Sequence, residues 1–280
     1  MTRVWLDGRL VAPDRAHVPI ADRGLLLGDG LFETMRVHKG RAFDLDGHLA
    51  RLESGLRILG FARAVDLARL RADVTNYLAA EGASEAALRL TLTRGAGPRG
   101  LAPPEEPRPT IVMTLSPLPL ARETPVSLWI ATSTRRNELS PVSRAKALPY
   151  LDNLIALQEA RAHGAEDALM LNTRDLVACA SVANVFIVRD GRLETPPISD
   201  GALPGRMRAL LLDLAGEAGL TPMEGSLCPD ALAGADHMLL TNSIRGVVEA
   251  GSCNGAALQR RAGVVVARLR ALIAARVERA

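Results

Sequence analysis

A proline-spaced segment in the middle of the chain separates two halves that each mix strand-like and helix-like patterns. Residues 116–125 read Ser-Pro-Leu-Pro-Leu-Ala-Arg-Glu-Thr-Pro, a composition typical of connectors between domains. We therefore predict an N-terminal α/β domain over residues 1–117, a linker over 118–125 and a C-terminal domain over 126–280. A chain of 280 residues with 48% hydrophobic content suffices for two cores of ordinary size.

In the first half, apolar residues follow strand and helix periods in turn. An Asp-Gly pair at residues 7–8, between short apolar runs, predicts a β-hairpin. Leucines at helical spacing predict helices over 48–59 and about 66–80. Strands are predicted over 87–93 and 110–115.

The second half has the same mixture. We predict strands over 126–132, 168–171, 185–188 and 238–241, and helices over 150–163, 205–218, 230–233 and from about Ala256 to the C-terminus. Because strands and helices mix without strict alternation, an α+β (mixed α/β) fold is favoured over a doubly wound parallel sheet.

Charge and cysteine content exclude several classes of protein. The net charge is only +3 and aromatic residues make up 3%, so no basic face with interleaved aromatics predicts nucleic-acid binding. Cys179, Cys228 and Cys253 are widely spaced, which favours neither a disulfide framework nor a metal site. No apolar run predicts a signal core or a membrane span, so we expect a cytoplasmic protein without membrane partners.

Lysine is almost absent from the chain. Of 34 basic residues, only Lys39 and Lys146 are lysines. Arginine preserves charge, but it cannot lose its proton and attack a carbonyl, so Schiff-base chemistry requires lysine. Lys39 is explained by a turn at residues 38–41, whereas Lys146 precedes a strongly helical stretch. Residue type alone favours a surface lysine, and the neighbouring motifs favour a reactive one.

Three segments combine small residues with groups that bind anions. Residues 203–208 place proline and glycine before the first turn of a predicted helix, whose unpaired backbone N–H groups suit a phosphate. Residues 180–184 and 241–243 offer hydroxyl and amide donors. Each segment alone is more often an ordinary cap or turn. Together with one activatable lysine they suggest pyridoxal phosphate, which needs an amine, a phosphate site and a partner for its pyridine nitrogen.

Several longer motifs resemble one enzyme family. They are DRGLLLGDGLFETMR at 22–36, HLARL at 48–52, KALPYLDN at 146–153, TPP at 195–197 and LPG at 203–205. In this order, over nearly the whole chain, they resemble the class IV (fold-type IV) pyridoxal-phosphate enzymes. That group contains branched-chain aminotransferases, D-amino-acid aminotransferases and 4-amino-4-deoxychorismate lyases.

The resemblance implies a homodimer in which the cofactor lies between two domains. It implies that Lys146 forms the Schiff base and then moves the substrate proton, and that Arg51 binds the phosphate. The backbone at Arg206 and Met207 and the hydroxyl of Ser243 would complete the phosphate site. Tyr150 is similar to a tyrosine near the phenolic oxygen of the cofactor, or is a helix-start aromatic packed in the core. The remaining candidates are Ser181, Ala183, Asn184 and Asn242 for the cofactor, and Phe32 and Arg99 for the substrate.

One position departs from the family pattern. Members usually carry a glutamate five residues before the asparagine matched by Asn184, where it keeps the pyridine nitrogen protonated. Here that position is Cys179. A thiol is only a weak donor or acceptor, so the electron sink should weaken. Cys179 is alternatively a small buried residue without a cofactor role.

The motifs leave the branch of the family open. RGAGPRGL at 94–101 and TNSIRG at 241–246 resemble the lyases, whereas TPPISDG at 195–201 also resembles the D-amino-acid enzymes. We predict an aminotransferase that moves the amino group of a small or medium α-amino acid, of D-amino-acid or branched-chain type, to a 2-oxo acid. The first alternative is a lyase that releases pyruvate and 4-aminobenzoate. The second is a cofactor-binding protein with weak or no turnover.

Overall fold

The chain folds into two compact units. The computed structural model describes residues 2–120, 122, 124–260 and 264–279. Residues 121 and 123 of the predicted linker lie outside this description. The first unit contains the chain up to Pro119 together with Ala145–Pro149, and the second contains Leu120–Arg144 and Tyr150–Arg279.

The first unit is an antiparallel sheet covered on one face by two long helices. Its elements are β1 (Val4–Leu6), β2 (Arg9–Val11), α1 (Arg23–Leu27), β3 (Gly30–His38), β4 (Arg41–Ala42), α2 (Leu45–Leu59), α3 (Leu67–Glu81), β5 (Glu85–Thr93) and β6 (Thr110–Ser116). The strand order is β2-β1-β6-β5-β3-β4. This confirms the predicted hairpin, both helices and both strands of the first half.

Local sequence explains where these elements begin and end. Asp7 and Gly8 adopt positive φ (48° and 86°), the conformation that a two-residue hairpin loop requires. The Asp66 carboxylate caps α3 by accepting from the N–H groups of Ala68 and Arg69. Gly82 ends the same helix in the left-handed conformation.

The two faces of the first sheet differ in character. Alternate residues of β3 and β5, such as Leu31, Met35, Leu88 and Leu90, are buried with the leucines of α2 and α3. Because successive side chains of a strand point to opposite faces, the intervening residues project from the other face. We call this second surface the open face.

The second unit is built on a larger mixed sheet. Its elements are β7 (Val126–Ile130), α4 (Leu151–Ala162), β8 (Asp167–Leu171), β9 (Val177–Ala180), β10 (Asn184–Arg189), β11 (Arg192–Thr195), α5 (Arg206–Leu214), β12 (Thr221–Glu224), β13 (His237–Asn242), β14 (Gly246–Cys253), β15 (Ala256–Ala257) and α6 (Val265–Arg279). The strand order is β12-β11-β10-β13-β14-β7-β8-β9, with β15 paired to β14. Parallel and antiparallel pairs occur together, which confirms the mixed α+β fold class.

Two helix predictions in this half need correction. The C-terminal helix does not start near Ala256, because Asn254 and Gly255 (φ 49° and 76°) turn β14 back into β15. The helix begins at Val265 instead. The helix predicted over 205–218 is α-helical only to Leu214, and a 3-10 turn at Gly216–Ala218 follows. Among the described residues, no helix has the length and hydrophobicity that a bilayer crossing requires.

Candidate functional site

Lys146 lies on a short segment that joins the first sheet. The isolated bridge between Leu31 and Ala147 and the hydrogen bonds from Phe32 N to Lys146 O (2.9 Å) and from Leu148 N to Gly30 O (3.0 Å) align residues 145–149 with the start of β3. Ala147 is buried in the core of the first unit. Lys146, its neighbour in an extended segment, therefore projects from the open face.

The ring of Phe32 on this face contacts two cations. Lys146 Nζ lies 4.2 Å from the ring centroid, and Arg89 Cζ lies 4.0 Å from it. An aromatic face attracts cations through its quadrupole, so an amine and a guanidinium both contact this one ring. Such a pair suits a substrate that carries a carboxylate beside the group that reacts with the amine.

Arg89 was not among the residues selected from the sequence. It is the only charged residue between Leu88 and Thr93 of β5. The leucines of this strand alternate toward the core. A charge on the other face of such a strand is a signal that could have identified it.

Arg51 is engaged in a buried ionic cluster on the helix-covered face. Its Nε donates to Glu33 Oε1 (2.9 Å) and its Nη2 to Glu33 Oε2, which also pairs with His48 Nδ1 (2.6 Å). Burial alone would raise the pKa of Glu33, but the hydrogen bonds from His48 and Arg51 outweigh it and lower the pKa to about 2. Glu33 and Phe32 are successive residues of β3, so Arg51 and Lys146 contact side chains that point to opposite faces.

Arg99 is exposed on the loop that connects β5 to β6. The backbone of this loop is held by the buried side chain of Arg23, which donates to the carbonyl oxygens of Gly100, Leu101 and Ala102.

In the second unit, the three predicted anion-binding segments adjoin one another. Asn184 pairs with Thr241 across β10 and β13, and its Nδ2 donates to Leu203 O (2.9 Å) before α5. A Cβ on Gly205 would lie 1.9 Å from Asn184 Oδ1, so only glycine permits this approach. We call Asn184, Gly205, Arg206, Met207 and Thr241 the cradle.

The cradle offers neutral donors to an anion. The N-cap residue of α5 is Gly205, which makes no side-chain capping hydrogen bond, and the N–H groups of Arg206 and Met207 lie in the first turn of that helix. Within the described part of the chain, the buried hydroxyl of Thr241 has no hydrogen-bond partner. A buried hydroxyl without a partner is costly, which indicates that a group outside the chain satisfies it. These donors fit a phosphate ester.

The other predicted cofactor residues of this unit lie on neighbouring turns. The Ser181 hydroxyl donates to the Asp167 carboxylate, and Asn242 Oδ1 accepts from the backbone N–H of Arg245 (2.8 Å). Ala183, which accepts from Ala180 N (2.9 Å), and Ser243 are half-buried. Tyr150, also half-buried, is the residue that precedes α4.

Cys179 is buried in a cluster of small side chains. Its neighbours in this cluster include Ala156, Ala168 and Ala178. Desolvation raises the pKa of the thiol, and the lowering effect of Arg136 is the smaller influence. Cys179 is therefore a neutral, small side chain where the family pattern has a carboxylate.

Comparison with known proteins places the chain in a family. Residues 30–253 match the family model described as "Amino-transferase class IV". This chain belongs to the class IV aminotransferase family.

Relatives of this class IV protein fall in more than one branch. It is 31% identical to a putative branched-chain-amino-acid aminotransferase of Methanocaldococcus jannaschii, over 88% of this chain and 86% of the relative. It is also similar to the crystal structure of 4-amino-4-deoxychorismate lyase from Pseudomonas aeruginosa (33% identity, TM-score 0.85, 96% and 97% of the two chains).

A third similar structure contains the cofactor. It is a hypothetical aminotransferase from Mycobacterium tuberculosis in its PLP-bound form (26% identity, TM-score 0.85, 99% and 100% of the two chains). The family is one of pyridoxal-phosphate enzymes, and the chain is accordingly a pyridoxal-phosphate enzyme of the aminotransferase and aminodeoxychorismate lyase group. The substrates of aminotransferases are amino and oxo acids.

Proposed function

We propose that this class IV enzyme transfers the amino group of a small or medium α-amino acid, of D-amino-acid or branched-chain type, to a 2-oxo acid. The observation that carries the proposal is the placement of Lys146 Nζ and the Arg89 guanidinium on the same ring, that of Phe32. Both substrates of a transamination carry a carboxylate next to the reacting carbon. A fixed guanidinium near the amine would orient that carbon toward Lys146.

Lys146 is the residue that we propose as catalytic. Pyridoxal phosphate, when bound, supplies an electron sink for the carbon that carries the amino group. Lys146 Nζ would hold the cofactor covalently and would move the proton at the substrate α-carbon. Phe32 restricts where the amine can lie, and Arg89 or Arg99 would bind the substrate carboxylate.

We propose that the cradle binds the phosphate of the cofactor. The backbone N–H groups of Arg206 and Met207 and the Thr241 hydroxyl supply neutral donors, as the positive end of a helix does for anions. Ser243, Asn242, Ser181, Ala183 and Tyr150 remain proposed contacts of the cofactor. Arg51 remains a proposed phosphate ligand, whose Nε and Nη2 are oriented by Glu33.

Cys179 is expected to lower the turnover of the proposed reaction. A neutral thiol in an alanine-rich cluster offers no negative charge to stabilise a protonated pyridine nitrogen. We therefore expect turnover to be slower than in an enzyme with a carboxylate at this position, and weak turnover remains the second alternative.

The lyase is the alternative within the family. The 33% identity with a lyase structure favours it, as do the motifs at 94–101 and 241–246. The test is to incubate purified holoenzyme with D- and L-amino acids plus a 2-oxo acid, and separately with aminodeoxychorismate. Formation of a new amino acid supports transamination, whereas 4-aminobenzoate at an enzyme-like rate with no amino transfer would assign the lyase.

We also propose that the enzyme is a cytoplasmic homodimer. Apolar side chains at the surface of the first unit support a subunit interface, with exposed fractions of 82% for Ile20, 61% for Leu25 and 59% for Leu26. The wide spacing of the three cysteines along the chain supports a reducing compartment. Sedimentation of the purified protein tests the dimer.

A further inference from the structure

One buried arginine binds three consecutive carbonyl groups of the loop between β5 and β6. Arg23 Nη1 donates to Gly100 O (3.2 Å) and Ala102 O (3.1 Å), and Nη2 donates to Leu101 O (3.0 Å). Within the described part of the chain, no other hydrogen bond reaches the backbone of these three residues. The conformation of this stretch therefore depends on a single side chain.

The start of the loop is fixed separately. Arg23 N donates to Gly95 O (2.9 Å), and Gly97 N donates to Ala21 O (3.2 Å). A Cβ on Gly95 would lie 1.8 Å from Arg108 O, so the two ends of the loop come into close contact there. These backbone contacts hold the base of the loop, and the Arg23 guanidinium holds its tip.

Asp29 fixes the Arg23 side chain in turn. Its Oδ2 accepts from Arg23 Nε (2.9 Å) and from Arg94 Nε (2.7 Å). Burial alone would raise the pKa of Asp29, but Arg94 and Arg23 together lower it. The two arginines differ in what their other nitrogens bind, because Arg94 Nη2 donates to Leu59 O at the end of α2. Arg94 is therefore a matched control for Arg23.

We infer that Arg23 is a positioning residue, which holds the backbone of residues 100–102 so that the side chain of Arg99 meets the substrate carboxylate. The inference rests on the proposed function in assigning that role to Arg99. Arg99 directly precedes Gly100, which adopts φ of 100°, so the direction of its side chain follows from the held backbone. A planar guanidinium bound through Nε to a carboxylate presents its Nη atoms in a fixed direction, which a lysine ammonium cannot reproduce.

The test compares Arg23→Lys with Arg94→Lys in the holoenzyme. For Arg23→Lys we expect KM for the amino donor to rise about tenfold, with kcat changed less than about threefold, because the loop loses its substrate-binding geometry. Limited tryptic cleavage after the exposed Arg99 becomes faster in the same variant, because the backbone at residues 100–102 is no longer held. Arg94→Lys lowers thermal stability but leaves KM and this cleavage rate near the wild-type values.

A double-variant cycle separates positioning from general loss of structure. In an Arg99→Ala background, Arg23→Lys adds less than about twofold to KM if it acts through Arg99. Equal effects in both backgrounds would overturn the inference. If Arg23→Lys fails to fold, Gly100→Ala perturbs the same backbone from the solvent side, since no atom lies within 4 Å of its Cβ and only the φ is strained.

The tryptic cleavage measurement needs no turnover, so the two proposals fail separately. If the wild-type enzyme transfers no amino group, the proposed function fails. If cleavage after Arg99 is equally fast in Arg23→Lys and wild type, the inference fails, whatever the activity. Faster cleavage with unchanged KM would also overturn it, because the loop would then not position the substrate.

Discussion

The two units offer opposite kinds of chemistry to a cofactor and its substrate. In the first unit the functional groups are charged: Lys146 and Arg89 lie on Phe32, and Arg51 is paired with Glu33. In the second unit they are neutral: the cradle uses backbone N–H groups and a hydroxyl, and Cys179 replaces a carboxylate. Under the proposed function, the first unit would carry out proton transfer and carboxylate binding, and the neutral donors of the second unit would bind the phosphate together with Arg51.

The largest expected effect on turnover comes from replacing Lys146 of the first unit. Lys146→Arg keeps a positive charge on the open face but removes the nucleophilic amine. We expect turnover to fall at least about a thousandfold. Lys39→Arg is the matched control because these are the only lysines of the chain, and it should change turnover less than about twofold. Substantial activity in Lys146→Arg would assign the chemistry to another residue.

The buried cluster of Glu33, His48 and Arg51 in the first unit predicts that the stability of the protein depends on pH. The pKa of Glu33 is lowered from 4.5 to about 2, so its ionised form stabilises the fold fully above pH 4.5, and this contribution is lost as the pH falls toward 2. Glu33→Gln leaves Arg51 and His48 without a carboxylate and should cost about 3 kcal/mol at neutral pH.

Denaturant unfolding of wild type and Glu33→Gln at several pH values measures this effect. The difference between the two proteins should shrink as the pH falls from 4.5 to about 2. A difference that does not change with pH would contradict the assignment of an ionised Glu33.

Arg89 tests whether the open face binds the carboxylate of the substrate. Arg89→Met should raise KM for the amino donor about tenfold to a hundredfold, as expected for the loss of a charge-assisted hydrogen bond. Arg36→Met removes an arginine of the neighbouring strand β3 and should leave KM within about twofold. Equal KM values for Arg89→Met and wild type would leave Arg99 as the proposed carboxylate ligand.

Replacing Gly205 tests whether the cradle binds the phosphate of the cofactor. In Gly205→Ala the new methyl group would lie 1.9 Å from Asn184 Oδ1 and displace it. We expect the Kd for pyridoxal phosphate to rise about tenfold, as expected when the donors of an anion site move out of line. Gly216→Ala is the control, because no atom lies within 4 Å of its Cβ. Fluorescence titration of the apoenzyme measures both, and an unchanged Kd in Gly205→Ala would place the phosphate elsewhere.

The smallest effect is expected at Cys179. If the thiol only fills space among alanines, Cys179→Ala should keep turnover within about threefold and lower stability by about 1 kcal/mol. A fall in turnover of more than tenfold, without loss of bound cofactor, would show that the thiol interacts with the pyridine ring. Steady-state kinetics and thermal unfolding distinguish the two results.

Sequence patterns predicted elements well where one periodicity dominates. The leucine spacing of α2 and α3 and the Asp-Gly hairpin need only local geometry, and the structure confirms them. Strands such as β9 (Val177–Ala180) were missed because a run of small residues shows no alternation. The C-terminal helix was predicted to start near Ala256, within β15, because that strand has only two residues and shows no alternation.

Sequence patterns likewise predicted some features of the candidate site and missed others. Lys146 could be selected from residue type and motif, whereas its place beside β3 depends on residues 145–149 returning to the first unit. Such a return has no local signal in the sequence. Arg89 and Arg23 act through neighbours that are distant along the chain, so motifs alone did not identify them.

The central claim is that one amine, Lys146 Nζ, holds the cofactor. Borohydride reduction of the yellow holoenzyme, followed by tryptic digestion and peptide mass mapping, tests it directly. We expect the phosphopyridoxyl mass on the peptide that runs from Ala145 to Arg161, with cleavage after Lys146 blocked. An adduct on Lys39, or no adduct on a protein that still turns over, would contradict the account.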